Sequence, residues 1–73
     1  NRDLAEHLRG WRRETARRES VPGFVILHDS TLEDLCRLRP RTLAELLAVR
    51  GVGERKIQRY GRQILDALAA FGQ

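Results

Sequence analysis

Leu4, Leu8, Trp11 and Thr15 recur at steps of four, three and four residues, the spacing that gathers side chains on one face of an α-helix. Arg2, Glu6, Arg9, Arg13 and Arg17 fall on the other face, so the pattern predicts an amphipathic helix over residues 3–18. Val21-Pro22-Gly23 ends it, because proline cannot continue the hydrogen-bond ladder. Phe24-Val25-Ile26-Leu27 is too short for a strand with no partner in view, and reads as a helical turn packed into the core. Ser30 with Glu33, and Thr42 with Glu45, have the spacing of capping boxes and predict two further helix starts. The first helix offers Leu32, Leu35 and Cys36 and stops before Pro40; the second offers Leu43, Leu46, Leu47 and Val49 and ends at Gly51-Val52-Gly53. The last helix is predicted over 54–71, with Ile57, Tyr60, Gly61, Ile64, Leu65, Leu68 and Phe71 inward and Arg55, Arg59 and Arg62 outward. No stretch sustains period two. The expected fold is all-α, a compact bundle of about five short helices.

Composition narrows what such a bundle does. At 73 residues the chain is one domain with room for one small core. Its one cysteine, Cys36, cannot staple the fold and reads as a small buried hydrophobe. His7 and His28 lie in unrelated segments, so neither a metal nor any other cofactor is expected. No acid/base pair or activated nucleophile is apparent, and the domain itself is expected to be non-catalytic. No apolar run approaches the roughly 20 residues of a membrane span. With no signal-peptide pattern at the start, a cytoplasmic, monomeric domain is expected.

Fourteen Lys and Arg stand against ten Asp and Glu, a net charge of +4. The excess lies toward the two ends, while the middle, with Asp29, Glu33 and Asp34, is faintly acidic. Arg9, Arg13 and Arg17 form a stripe, but Glu6, Glu14 and Glu19 interrupt it, and a solvated helix face is the expectation there.

The hairpin Gly51-Val52-Gly53 joins two helices without a spare residue. Gly51 is expected as the left-handed cap, Gly53 as the entry to the next helix and Val52 as a core plug. Free N–H groups at the start of the last helix favour an anion, with Arg55, Lys56 and Arg59 adding counter-charge. This element resembles the helix-hairpin-helix of DNA-binding proteins. On the wider set Leu8-Arg9-x-Trp11-Arg12, Val21-Pro22-x-Phe24-Val25-Ile26-Leu27, Asp29-x-Thr31-Leu32, Arg39-Pro40, Leu46-Leu47-x-Val49-x-Gly51-Val52-Gly53-x-x-Lys56 and Tyr60-Gly61, nearly the whole chain resembles the HRDC domain, the helicase-and-RNase-D C-terminal domain.

That resemblance implies a five-helix bundle excised from a larger protein, most simply an ATP-dependent, bacterial RecQ-type DNA helicase of the nucleoid acting in repair and recombination. An RNase D-like exoribonuclease is the other parent it allows. The module would help engage single-stranded or partly duplex DNA, or dock on other domains of its parent and tune its DNA selectivity. The resemblance also places Phe24 where the family carries an aromatic, often Tyr, that in some members contributes to single-strand binding. The apolar neighbours Val25, Ile26 and Leu27 argue instead for a core phenylalanine. Phe24, Gly51, Gly53, Arg55, Lys56 and Arg59 are the expected nucleic-acid contacts. Trp11 and Tyr60 are expected in the core, Tyr60 with its hydroxyl at the rim.

Overall fold

Asp3 in the first turn and Arg17 and Arg18 in the last suit the dipole of a helix, and the inward stripe between them forms α1 (Arg2–Glu19) in the computed structural model, which describes residues 2–71. There follow α2 (Gly23–Ile26), α3 (Asp29–Leu38), α4 (Leu43–Leu47) and α5 (Glu54–Phe71). The described residues contain no strand. The two 18-residue helices, α1 and α5, pack on each other; α2 and α3 lie against α1, and α4 lies against α5.

The core is the sum of the inward stripes. Leu4, Leu8, Ile26, Leu27, Leu35, Leu46 and Ile64 are fully buried, with Leu32, Val49, Val52, Tyr60 and Leu68 nearly so. Burying one such aliphatic side chain contributes about 1.5–3 kcal/mol. Trp11, Cys36, Ile57, Leu65 and Phe71 close the rim, each partly buried. Thr15 is buried on the stripe and stays satisfied by donating its hydroxyl to the Trp11 carbonyl, 2.9 Å away, the local bond open to a helical threonine.

The two predicted capping boxes part ways. At α4 the cap half of the box forms: the Glu45 N–H donates to Thr42 Oγ1 at 3.1 Å. The Glu45 carboxylate reaches one residue further back than the motif requires and accepts from the Arg41 N–H at 2.8 Å. At α3 it does not form, since Asp29 and Ser30 are already helical and the capping residue is His28, which makes no side-chain cap bond. The Asp29 carboxylate supplies the negative charge that a helix start favours. The Thr31 hydroxyl, in the first turn of α3, bonds across to the hairpin at the Arg50 carbonyl.

Leu43 and Leu47 are also not core residues, at 42% and 45% exposure. Their helix has five residues and turns only Leu46 fully inward; the remaining cover comes from Val49 and Val52 beyond its end. Leu43 nonetheless touches α5, where a Cβ added at Gly61 would lie 3.0 Å from its Cδ2, so Gly61 sets how closely α4 and α5 approach. No described helix is long and apolar enough to cross a membrane.

Candidate nucleic-acid interface

A single helical turn cannot satisfy its own last carbonyls, and the way α2 solves this defines the site. Lys56, in the first turn of α5, donates from Nζ to the carbonyls of Ile26 at 2.8 Å and Val25 at 3.2 Å. From the other side Arg12 of α1 donates to the Leu27 carbonyl at 2.8 Å and pairs with Asp29 at 2.9 Å. Three successive carbonyls are thus held by two cations from two different helices. Arg12 is only 16% exposed, and a Cβ at Gly23 would come within 3.3 Å of its Nε. Ile26 and Leu27 face inward; Phe24 and Val25 face outward, 59% and 47% exposed.

Phe24 is therefore not the core phenylalanine its neighbours argued for. One turn has two sides, and Ile26 and Leu27 take the inner one. The Phe24 ring lies nearly parallel to His28, centroids 6.3 Å and planes 25° apart, and the residue stays 59% exposed. Lys56 is likewise not a free cation at a helix start. Two of its three donors are committed to α2, and burial lowers its pKa from the ordinary lysine value.

The hairpin forms with Val52 buried as expected. Its left-handed residue is Gly51, at φ +90°, three residues beyond the α4 cap at Ala48. The Thr31 hydroxyl of α3 donates to the Arg50 carbonyl at 3.2 Å and occupies the space a Cβ on Gly51 would need. Gly53 has neither constraint: its φ is not positive and a Cβ there would meet nothing. Its carbonyl accepts the first α5 bond, from the Ile57 N–H at 3.0 Å. Of the cations that follow, Arg55 is exposed. Arg59 pairs with Glu19 at 3.2 Å and lies over the Tyr60 ring, 5.4 Å from its centroid. Of the expected contacts the structure brings Lys56 to the Phe24 turn; Arg55 is exposed one residue before it on α5, and Gly51 and Gly53 shape the hairpin that precedes them.

Behind this surface Tyr60 donates to Glu19 Oε1 at 2.6 Å and meets Trp11 edge-on, centroids 6.1 Å apart. Burial and the bond to Glu19 raise the Tyr60 hydroxyl above its ordinary 10.0, against a smaller lowering by Arg59. Folded tyrosine then keeps its proton where the unfolded chain has lost it. The stability this contributes is present below pH 10.0 and is lost as pH rises through the folded value. Lys56 acts in the opposite sense, its burial cost fading as it deprotonates. Urea unfolding between about pH 9 and pH 11 is expected to show a falling stability for the wild-type chain and a flatter profile for Tyr60→Phe; parallel profiles would place the titration elsewhere.

The sequence reading assigned no site role to Arg12 or Glu19. A signal for Arg12 was present: it lies four residues from both Leu8 and Ala16, on the inward stripe, where an unpartnered charge does not persist. Nothing local marked Glu19, whose partners are 40 and 41 residues away.

An all-helical bundle with a pinned aromatic turn is the class this geometry defines. The family model of the HRDC domain matches residues 1–68. The chain is 40% identical, over all 73 residues, to the ATP-dependent DNA helicase RecQ of Bacillus subtilis and covers 12% of that protein. It is 38% identical over 64 residues (88% of the chain, 9% of the relative) to the ATP-dependent DNA helicase UvrD2 of Mycobacterium tuberculosis. The solved D. radiodurans RecQ HRDC domain 3 matches at TM-score 0.93 and 46% identity, covering 97% of this chain and 93% of that one. The chain belongs to the HRDC domain family. It spans about an eighth or less of the helicases it matches.

Proposed function

We propose that this chain is the accessory single-strand-binding module of a RecQ-type, ATP-dependent DNA helicase acting in the bacterial cytoplasm, itself carrying no catalysis. The observation that carries the reading is Phe24: an exposed aromatic ring on a turn locked by Arg12 and Lys56. An aromatic held this way is a stacking platform that loses little freedom when a base settles on it. Arg55 and Arg59 add positive charge on the same helix as Lys56, and Lys56 holds the platform rather than the strand. Gly51 and Gly53 contribute through the hairpin that positions these cations. The test is a fluorescence-anisotropy titration of a labelled oligothymidine at low salt, comparing the wild-type chain with Phe24→Ala. Binding that is absent, or indifferent to Phe24, overturns the reading.

A second reading, docking on other domains of the parent, is favoured by the exposed Leu43 and Leu47. Together with Ile57 and Gln58 they line a shallow groove of about 300 Å³ between α4 and α5. The acidic middle favours it less, since Asp29 is paired with Arg12 and Asp34 with Arg37.

A further inference from the structure

The stripe Arg9, Arg13, Arg17 was expected to be a solvated face, yet the fold gives it a wall. The α1–α2 connection returns alongside it, and Arg9, Arg12, Arg13, Arg17 and Gly23 line one groove of about 390 Å³. Gly23 is the residue immediately before Phe24, so the groove begins one residue, about 3.8 Å of backbone, from the stacking platform. We propose that this groove takes the phosphodiester backbone of a single strand whose base rests on Phe24; the proposal rests on the reading of Phe24 given above and assigns the strand its path, along α1.

Charge and spacing support that path. Arg9, Arg13 and Arg17 stand four residues apart, so their anchors advance by about 6 Å per step along α1. An extended single strand matches that spacing; a stacked strand, at ~3.4 Å per nucleotide, does not. Like charges four apart on a helix repel one another, and an anion between them relieves the repulsion. Glu6 neutralises Arg9 and Glu14 neutralises Arg17, each at 2.9 Å. Both are exposed i,i+3 pairs, which contribute little in water and yield readily to a phosphate. Arg13, in the middle of the row, has no ion-pair partner among the described residues. Arg12 is the fourth guanidinium of the wall but is held by Leu27 and Asp29, so it shapes the groove while Arg13 leads the contact. On the hairpin side, by contrast, the Lys56 donors are spent on Val25 and Ile26.

The experiment titrates labelled oligothymidine against the wild-type chain, Arg13→Gln, Arg41→Gln and Phe24→Ala over a series of salt concentrations. Arg41 is exposed, at the start of α4, and removes the same charge elsewhere. The expected result is a several-fold loss of affinity for Arg13→Gln with a salt slope shallower by about 0.7, and a much smaller change for Arg41→Gln. Equal changes in the two arginine variants overturn the groove. If Phe24→Ala weakens binding and Arg13→Gln does not, the groove fails while the platform stands. If neither matters, both fail. Displacement of the strand by inorganic phosphate, or by a polyglutamate peptide at the same ionic strength, as effectively as by unlabelled oligothymidine would overturn it too, leaving a general anion site or an acidic protein partner.

Discussion

Gly51→Ala is expected to destabilise the chain by about 2–4 kcal/mol. Forcing an L-residue into the left-handed region costs roughly 1–2 kcal/mol. The new Cβ would also displace the Thr31 hydroxyl from Arg50, losing a hydrogen bond of about 1 kcal/mol and leaving a carbonyl to find another partner. A domain this size has a total stability of about 4–11 kcal/mol, so the melting temperature should fall by roughly 10–30 °C. Thermal unfolding by circular dichroism measures it. The double variant with Thr31→Ala separates the two causes: without the Thr31 hydroxyl, Gly51→Ala should cost about 1 kcal/mol less than in the wild-type background. Gly53→Ala, two residues away, is expected to be neutral or slightly stabilising, because its site is open and its backbone conformation ordinary. Equal costs at the two glycines would mean that the lock with α3 does not hold the hairpin.

Phe24→Ala is expected to do the reverse, leaving stability almost unchanged and weakening single-strand binding. The ring is 59% exposed, so its removal changes unfolding by no more than about 0.5 kcal/mol. A base stacked on an aromatic is worth about 1–3 kcal/mol, a loss of roughly 5- to 150-fold in affinity. Phe24→Tyr should retain most of the binding, since the π-face is preserved. Lys56→Met behaves differently again: it unties the Val25 and Ile26 carbonyls and lowers both stability and affinity. A Lys56→Met chain of wild-type stability that bound weakly would make Lys56 a direct phosphate contact instead of a support for the turn. Anisotropy and urea unfolding on the same preparations distinguish these outcomes.

At Lys56 local sequence and tertiary structure point to different roles. From the chain alone Lys56 is a cation directly after a hairpin, at the end of a helix that attracts anions, and phosphate contact follows. Which carbonyls lie within reach of its ammonium depends on where residues 25 and 26 fold, some thirty residues earlier. Arg12 is the intermediate case, because its place on the inward stripe was readable although Leu27 and Asp29 as its partners were not. For Phe24 the local composition argued for burial, and the resemblance to a family argued for exposure. The fold decided for exposure because a one-turn helix has only one buried side.

Periodicity and helix-ending residues were sufficient for the all-helical class, the bounds of α5, the cap at Thr42 and the core places of Leu4, Leu8, Leu35, Leu46 and Ile64. These follow from interactions within a few residues, repeated at helical spacing. The tertiary structure alone decided that His28 rather than Ser30 precedes α3, that Leu43 and Leu47 stay at the surface, and that the α1 arginines gain a wall at Gly23. Each of those depends on which distant segment supplies the neighbouring atoms, and helical periodicity carries no information about that.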